Sequence, residues 1–336
     1  MKAKIGHINS INSLRGLAAL SVVFYHFICT TTDYITNQTV LDIFHFGNKG
    51  VQVFFIISGI VISLSMIKAK YSLPLFGKFI LKRFTRIEPP YIGVVLIGIL
   101  YLYARNFVPS SAQVDLTPSI RDVALHFGYL VPFVEDAKWI NPVFWTLSVE
   151  FQYYLFLAII FPLALQPKLY KRTIFYACIL LFPILIPTGV EFLPYWSPFF
   201  GLGIFYILYR TSKINNLEYV FITFLTSILV VKNQGYLDLG IGIFTLIIIH
   251  NFSNFKSKIG SFLGDISYSV YLLHSVVGSA YVNFMSHRFN EPLGQFFVIL
   301  SGILITILSA YIYWKLIEKP SQRLAQKIKL KRQKNN

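Results

Sequence analysis

Long apolar runs recur along this chain of 336 residues, and they constrain its fold more than any other feature. Three examples are the runs 91–103, 174–186 and 296–313. Several approach the ~20 residues that a helix needs to cross the hydrocarbon core of a bilayer. The composition agrees, because 55% of the residues are hydrophobic and only 13% are charged. These features exclude an ordinary soluble enzyme and predict an all-α, polytopic bundle of transmembrane helices.

Charged, proline and glycine residues divide the apolar sequence into about ten candidate spans. The predicted spans are 11–30, 50–67, 89–107, 143–164, 174–188, 196–210, 217–231, 236–252, 262–285 and 293–316. An even number of spans places both termini on the same side of the membrane. The longest connection, 108–142, is too short for a separate soluble domain. We therefore expect one membrane domain over 1–320 and a basic cytoplasmic tail over 321–336.

Lysine and arginine outnumber aspartate and glutamate by 30 to 14. On the predicted topology, 23 basic residues lie on the side of the two termini, six lie on the opposite side, and Arg15 lies within the first span. Basic residues concentrate in the cytoplasmic connections of membrane proteins, so this asymmetry predicts that both termini are cytoplasmic. We expect a multi-pass protein of a bacterial inner membrane that contacts lipids and has no nucleic-acid partner.

The first span carries two polar residues, Arg15 and His26, in SLRGLAALSVVFYHF. They are 11 residues apart, which at 100° per residue is about 20° past three full turns, so they share a helix face. Their Cα atoms are about 16 Å apart, so an elongated ligand or a chain of polar groups must lie between them. Charged groups inside spans are costly and mark functional sites. The alternative is a snorkelling arginine and a hydrogen-bonded core histidine.

Glu150 lies well inside the fourth span, in NPVFWTLSVEFQYYLF, toward the outer half of the bilayer. An unpaired carboxylate there is destabilising, so it needs a partner. His26 is expected at a similar depth, and a carboxylate that orients a histidine is a common general-base arrangement. The alternative is a structural hydrogen bond to Trp145, Tyr153 or Tyr154.

A basic cluster enters the third span from the cytoplasm in KFILKRFTRIEPPY. Lys82, Arg83 and Arg86 fall within about one helical turn, an arrangement that suits phosphate groups. Anionic lipid head groups, or the general excess of basic residues at the inner face, explain the same cluster. Taken alone, the cluster does not separate a nucleotide site from a topology signal.

Weaker candidates for a substrate cavity lie in the fourth and ninth spans. Ser267, Tyr271 and His274 have the i, i+4, i+7 spacing of one helical stripe. Trp145 opens the fourth span close to Glu150. A structural role is the alternative for His274.

Small and sulfur-containing side chains are predicted to serve packing. Ser58 and Gly59, in FFIISG, are expected to permit close helix approach. Cys29 and Cys178 fall at opposite membrane faces and have no partner for a disulfide. No group of residues has the spacing of a metal site, so we expect no metal.

Six segments in order resemble the acyltransferase 3 family of integral membrane acyltransferases, over essentially the whole chain. They are NSLRGLAALSVVFYHF, GVQVFFIISGIVIS, KRFTRIEPPY, FWTLSVEFQYYL, GDISYSVYLLH and the closing IEKP. Dispersed motifs in order are a more specific signal than any one of them. The sequence departs from the family at Lys82, where many members carry a second adjacent arginine, so a bidentate phosphate contact is not expected there.

The resemblance implies transfer of an acyl group, usually acetyl, from cytoplasmic acyl-CoA to a hydroxyl of a surface polysaccharide or a lipid-linked glycan precursor. It also implies essential roles for Arg15 and His26 and a functional role for Glu150. We predict that His26 is the general base, that Glu150 orients it, and that Arg15 binds a CoA phosphate or stabilises developing charge. Arg83 and Arg86 are predicted to bind the nucleotide end of acetyl-CoA, with Lys82 beside them. Transient acylation of His26 is the alternative route.

Transport is the competing function. Ten spans with an intramembrane arginine, histidine and glutamate also suit a proton-coupled exporter or a glycan flippase without transferase activity. Neither a pair of broken helices in matching positions nor an internal repeat is evident in the sequence. Release of free CoA from acetyl-CoA by the solubilised protein would separate the two functions.

Overall fold

The structure, a computed structural model, describes residues 8–31, 34–107 and 117–330, and these form helices and connections without a β-strand. The helices are α1 (Ser10–Cys29), α2 (Gln38–His45), α3 (Gly50–Lys68), α4 (Phe76–Arg105), α5 (Ile120–His126), α6 (Trp145–Ala164), α7 (Leu169–Leu185), α8 (Leu193–Arg210), α9 (Asn216–Gln234), α10 (Tyr236–Asn251), α11 (Lys258–Leu273), α12 (Ala280–Ser286), α13 (Pro292–Tyr313) and α14 (Lys319–Lys327). Two π-helical turns, His274–Ser279 and Trp314–Glu318, join α11 to α12 and α13 to α14. Lys2, Lys4 and the last six residues of the predicted tail lie outside the described residues.

Each of the ten predicted spans overlaps a helix, and the all-α prediction is confirmed for the described residues. In the part of the chain that the structure describes, five helical segments are long and apolar enough to cross a membrane: Ser10–Cys29, Gln38–Lys68, Leu73–Arg105, Pro142–Ala164 and Pro292–Lys327. Large apolar side chains such as Leu100 and Leu304 are exposed on these helices, as contact with lipid requires. The chain is a helical membrane protein. The crossing of all ten segments and the cytoplasmic placement of the termini stay predictions.

α4 is longer than the predicted third span, which began at residue 89. It begins at Phe76 and continues through Pro89 and Pro90, so the basic cluster lies on this helix and not in a connection. A proline inside a helix removes a backbone donor and favours a break. Tertiary packing holds this segment, and the hydroxyl of Tyr313 donates to the carbonyl of Pro90 at 2.5 Å.

Part of the predicted tail is structured. α14 packs along the first half of α4, and Nζ of Lys82 donates to the carbonyl oxygen of Ile328 at 2.9 Å. The chain therefore returns after α13 to the end of the bundle at which α4 begins. This return places basic side chains of the tail beside those of α4.

Close helix contacts bring the candidate site residues together. α1 runs along α11, and a Cβ atom at Gly264 would meet the backbone carbonyl of Asn12. α3 runs along α8, and a Cβ atom at Gly59 would meet the carbonyl of Phe200. The predicted role of Gly59 in close helix approach is confirmed.

Replacing Gly264 by alanine should destabilise the contact between α1 and α11. The added methyl group would press on backbone, which gives way only if a helix shifts, and such overpacking costs about 1–3 kcal/mol. Thermal unfolding in detergent, followed as loss of monodisperse protein, measures the effect. The matched control is Gly240→Ala, because nothing lies within 4 Å of a Cβ atom built there. Equal unfolding temperatures for the two variants would contradict this account of the contact.

Candidate active site

A basic cavity of about 790 Å³ opens at the end of the bundle where α1 and α4 begin. We call this cavity the inner basin. Among the described residues, six basic side chains and no acidic one line it: Arg15, Lys68, Lys70, Lys82, Arg86 and Lys329. A concave surface of one charge raises the local concentration of oppositely charged ligands, so the inner basin favours polyanions.

A narrower cavity of about 110 Å³ leads into the bundle between α3, α6 and α11. We call it the channel. It shares Arg15, Val61 and Arg86 with the inner basin, so these residues form the neck between the two spaces. Along α3 the channel extends from Ile62 to Val51, about 16 Å at 1.5 Å per residue. A thin, extended group is the shape that fits it.

Two guanidinium groups stand at the neck, those of Arg15 and Arg86. Among the described residues, neither donates a hydrogen bond to a protein group. The carboxylates of Glu318 and Glu150 lie within electrostatic range of Arg15. The neck therefore presents several N–H donors of fixed geometry, which suit a phosphate.

The rest of the basic cluster is divided between the two cavities. Arg83 is buried in the channel wall, with its guanidinium 5.3 Å from the ring centre of Phe79 and 5.9 Å from that of Tyr154. Lys82 lines the inner basin, where its Nζ contacts a backbone carbonyl. Of the three predicted phosphate contacts, only Arg86 lies at the neck.

Glu150 lies in the channel wall. Its Oε1 accepts hydrogen bonds from the hydroxyl of Ser58 at 3.0 Å and from that of Tyr154 at 2.6 Å. In the part of the chain that the structure describes, no hydrogen bond joins Glu150 to His26, so the expected orientation of His26 by this carboxylate is not observed. The alternative of a bond to Tyr154 is the one formed. Ser58 has a polar partner as well as the packing role expected for it.

His26 instead faces a second histidine. Its Nδ1 lies 3.2 Å from Nε2 of His274 and 2.9 Å from the carbonyl oxygen of Val22. The two imidazole ring centres are 4.8 Å apart. His274 is fully buried, whereas His26 is half-buried. The two histidines, 248 residues apart in the sequence, thus form a pair near the C-terminal end of α1.

Tyr271 connects the channel to this histidine pair. Its ring lines the channel, and its hydroxyl is 2.8 Å from the hydroxyl of Thr146. Its backbone carbonyl is 2.7 Å from Nδ1 of His274. His26 is not among the residues that line the channel, and Tyr271 lies between the channel and the histidine pair.

The remaining weak candidates have separate positions. Ser267 lines the channel and donates to the carbonyl of Gly264 at 2.8 Å. Trp145 lies outside the channel lining and stacks on Trp196, with ring centres 5.7 Å apart. Among the described residues, no group of three or more histidine, cysteine, aspartate or glutamate side chains is placed to hold a metal ion.

A comparison with protein families identifies the family of this chain. A family model described as an acyltransferase domain, that of acyltransferase 3, matches residues 8–314. This range contains the helices that line the two cavities, except α14 and the π-helical turn that precedes it. The chain belongs to the acyltransferase 3 family. The resemblance inferred from the six sequence segments is therefore confirmed.

A relative of this acyltransferase occurs in Acidianus two-tailed virus. The viral protein is named "Putative acetyltransferase ORF330", and it is 27% identical over an aligned length of 295 residues; the alignment covers 79% of this chain and 81% of the viral protein. No solved structure matches the chain.

One channel residue of the acyltransferase escaped the sequence analysis. Glu318 follows the last predicted span, so its position suggested a cytoplasmic connection. The π-helical turn instead buries it, and its Oε2 accepts from the hydroxyl of Ser269 at 2.5 Å and from the backbone N–H of the same residue at 3.2 Å. The signal available in the sequence was the closing IEKP segment, in which Glu318 is the only acidic residue.

Proposed function

We propose that this acyltransferase moves an acetyl group from cytoplasmic acetyl-CoA to a hydroxyl of a surface polysaccharide or of a lipid-linked glycan precursor. Membership of the acyltransferase 3 family and the acetyltransferase name of the viral relative support acyl transfer. The observation that carries the choice of donor is the neck, where the inner basin narrows at Arg15 and Arg86 into the channel.

The donor's parts match the two cavities in charge and shape. The nucleotide of acetyl-CoA carries several phosphate charges, and the inner basin offers six basic side chains. The pantetheine arm is thin and uncharged, as the channel requires. Arg15 and Arg86 would then bind a phosphate with N–H donors that make no hydrogen bond to any of the described residues.

Transfer begins when the acetyl thioester reaches His26 past Tyr271. His26 Nε2 takes the proton of the acceptor hydroxyl while the hydroxyl oxygen bonds to the carbonyl carbon of the thioester. The C–S bond then breaks, and His26 returns the proton to the sulfur of CoA. The products are an acetyl ester and free CoA. Transient acetylation of His26 is a second route to the same products.

The two carboxylates of the channel balance its cations in this scheme. Glu150 and Glu318 line the channel with three guanidinium groups, those of Arg15, Arg83 and Arg86. Two negative charges against three positive charges leave the channel weakly basic. The role proposed for Glu150 is therefore electrostatic support of the donor site, because it does not contact His26.

Transfer of label tests the proposal. The purified protein in nanodiscs is incubated with [14C]acetyl-CoA and the total glycolipid and polysaccharide extract of the host's cell envelope. We expect carbohydrate-bound label that mild base removes as acetate, with one CoA thiol released per acetyl group, and equal rates with and without EDTA. Absence of both label and thiol release would overturn the proposal. Accumulation of unmodified glycan across sealed vesicles would then favour the exporter or flippase alternative.

A further inference from the structure

We propose that His274 is a positioning residue for His26. The inference rests on the proposed function, because it assigns the group that prepares the general base. Nε2 of His274 accepts the Nδ1 proton of His26, which holds His26 in the tautomer whose Nε2 lone pair is available. The same contact stabilises the imidazolium that forms when His26 takes the proton of the acceptor hydroxyl.

The tautomer of His274 follows from its backbone partner. Its Nδ1 lies 2.7 Å from the carbonyl oxygen of Tyr271. A carbonyl oxygen only accepts, so Nδ1 carries the hydrogen. A neutral imidazole with hydrogen on Nδ1 has its lone pair on Nε2. The nitrogen that faces His26 is therefore an acceptor.

The tautomer of His26 follows in turn. Its Nδ1 lies 2.9 Å from the carbonyl oxygen of Val22 and 3.2 Å from Nε2 of His274. Both neighbours are acceptors, so Nδ1 of His26 carries the hydrogen and shares it between them. Nε2 of His26 then has no proton. This is the nitrogen that the proposed reaction needs as a base, and a histidine now takes the place expected for Glu150.

Two backbone carbonyls just before the π-helical turn have side-chain partners. The turn begins at His274. The carbonyl of Tyr271 accepts from His274, and that of Leu272 accepts from Nδ2 of Asn141 at 3.3 Å. Such turns are frequent at functional sites.

Asn141 holds the turn from both sides of His274. In addition to its bond to the carbonyl of Leu272, its Oδ1 accepts from the hydroxyl of Ser275 at 2.9 Å. Asn141 is fully buried and lies in the connection before α6. It therefore ties that connection to residues on either side of His274, which fixes the direction of the imidazole ring.

Two substitutions separate positioning from packing. His274→Phe removes the acceptor and keeps a ring, whereas His274→Gln keeps an acceptor at the end of a similar side chain. We expect His274→Phe to lower kcat at least about 100-fold, in the range of general-base effects, with the KM for acetyl-CoA changed less than about twofold. His274→Gln should restore kcat to within about tenfold of the wild type. His250→Phe, a histidine that lines neither cavity, is the matched control and should leave kcat unchanged.

Asn141 provides a second variant for the same inference. Asn141→Ala should lower kcat about tenfold, and the double variant Asn141→Ala/His274→Phe should be no slower than His274→Phe, because both changes act through one group. Additive losses in the double variant would overturn the assignment. Wild-type kcat in His274→Phe would also overturn it, and so would equal losses in folded His274→Phe and His274→Gln.

A readout that needs no turnover separates this inference from the proposed function. Nitrogen-15 spectra of histidine-labelled protein in nanodiscs report which nitrogen of His26 carries hydrogen. We expect hydrogen on Nδ1 in the wild type and a changed Nδ1 chemical shift in His274→Phe, where only the carbonyl of Val22 remains as its acceptor. Hydrogen on Nε2 of His26 in the wild type would overturn the inference even if the protein transfers acetyl groups. If the protein transfers none while Nδ1 is protonated as expected, only the proposed function fails.

Discussion

Replacing His26 by alanine should lower kcat for acetyl transfer by about 100- to 10,000-fold, because a general base contributes about 10²–10⁴ and the alanine leaves no group in its place. Binding of acetyl-CoA should stay within about twofold, since His26 does not line the channel or the inner basin. The rate is measured as label transferred to carbohydrate, and binding is measured by titration with a non-hydrolysable acetyl-CoA analogue.

His250→Ala is the control for the loss of a histidine at a site that lines neither cavity. Both variants should be monodisperse in detergent. Substantial transfer by a well-folded His26→Ala protein would exclude His26 as base and as transient acyl carrier. A large loss of donor binding would show instead that the donor rests directly on His26.

Replacing both Arg15 and Arg86 by glutamine should weaken acetyl-CoA binding at least about 100-fold. Charge-assisted hydrogen bonds are worth about 1.5–3 kcal/mol each, which is about 10- to 150-fold in Kd. The double variant loses two such groups, and the exposure of the inner basin to solvent places the effect toward the lower end of their combined range. Titration with the same non-hydrolysable analogue measures the loss.

Arg210→Gln is the matched control, because it removes one positive charge from the end of α8 and lines neither cavity. It should leave the Kd unchanged. An equal loss in Arg210→Gln would assign the effect to the overall charge of the protein. Unchanged donor binding in the Arg15/Arg86 variant would return these arginines to a role in topology or lipid contact.

For the basic segment before Pro89, the hydropathy pattern identifies a helix correctly but misplaces the residue at which the helix begins. Its charges excluded it from an apolar span, yet it forms the first half of the 30-residue helix α4. Hydropathy indicates which residues contact lipid. A helix extends beyond those residues where tertiary packing compensates for prolines that would otherwise end it. The sequence therefore predicted the presence of this helix and misplaced its start.

Some residues of the channel were predictable from the sequence, and one was not. Arg15 and Glu150, which line the channel, were predictable as candidate site residues, because a charge within an apolar helix is too costly without a ligand or partner. Glu318 was not predictable from hydropathy, because a π-helical turn at the end of α13 is what buries it. The backbone geometry of that turn comes from packing against α4 and α11 and has no simple residue pattern.

The sequence by itself determined that this protein is a helical membrane protein and which family it resembles. It also identified the polar groups that are too costly to bury without a partner or ligand. These properties depend on composition and on local spacing along single helices. Only the tertiary structure decided which groups meet, since a side-chain hydrogen bond depends on the rotation and depth of two helices to within about an ångström. His26 meets His274 and not Glu150 because α1 packs along α11, where a glycine permits close approach. The partner of the proposed base, His26, is therefore set by how two helices pack, which the sequence of one span does not determine.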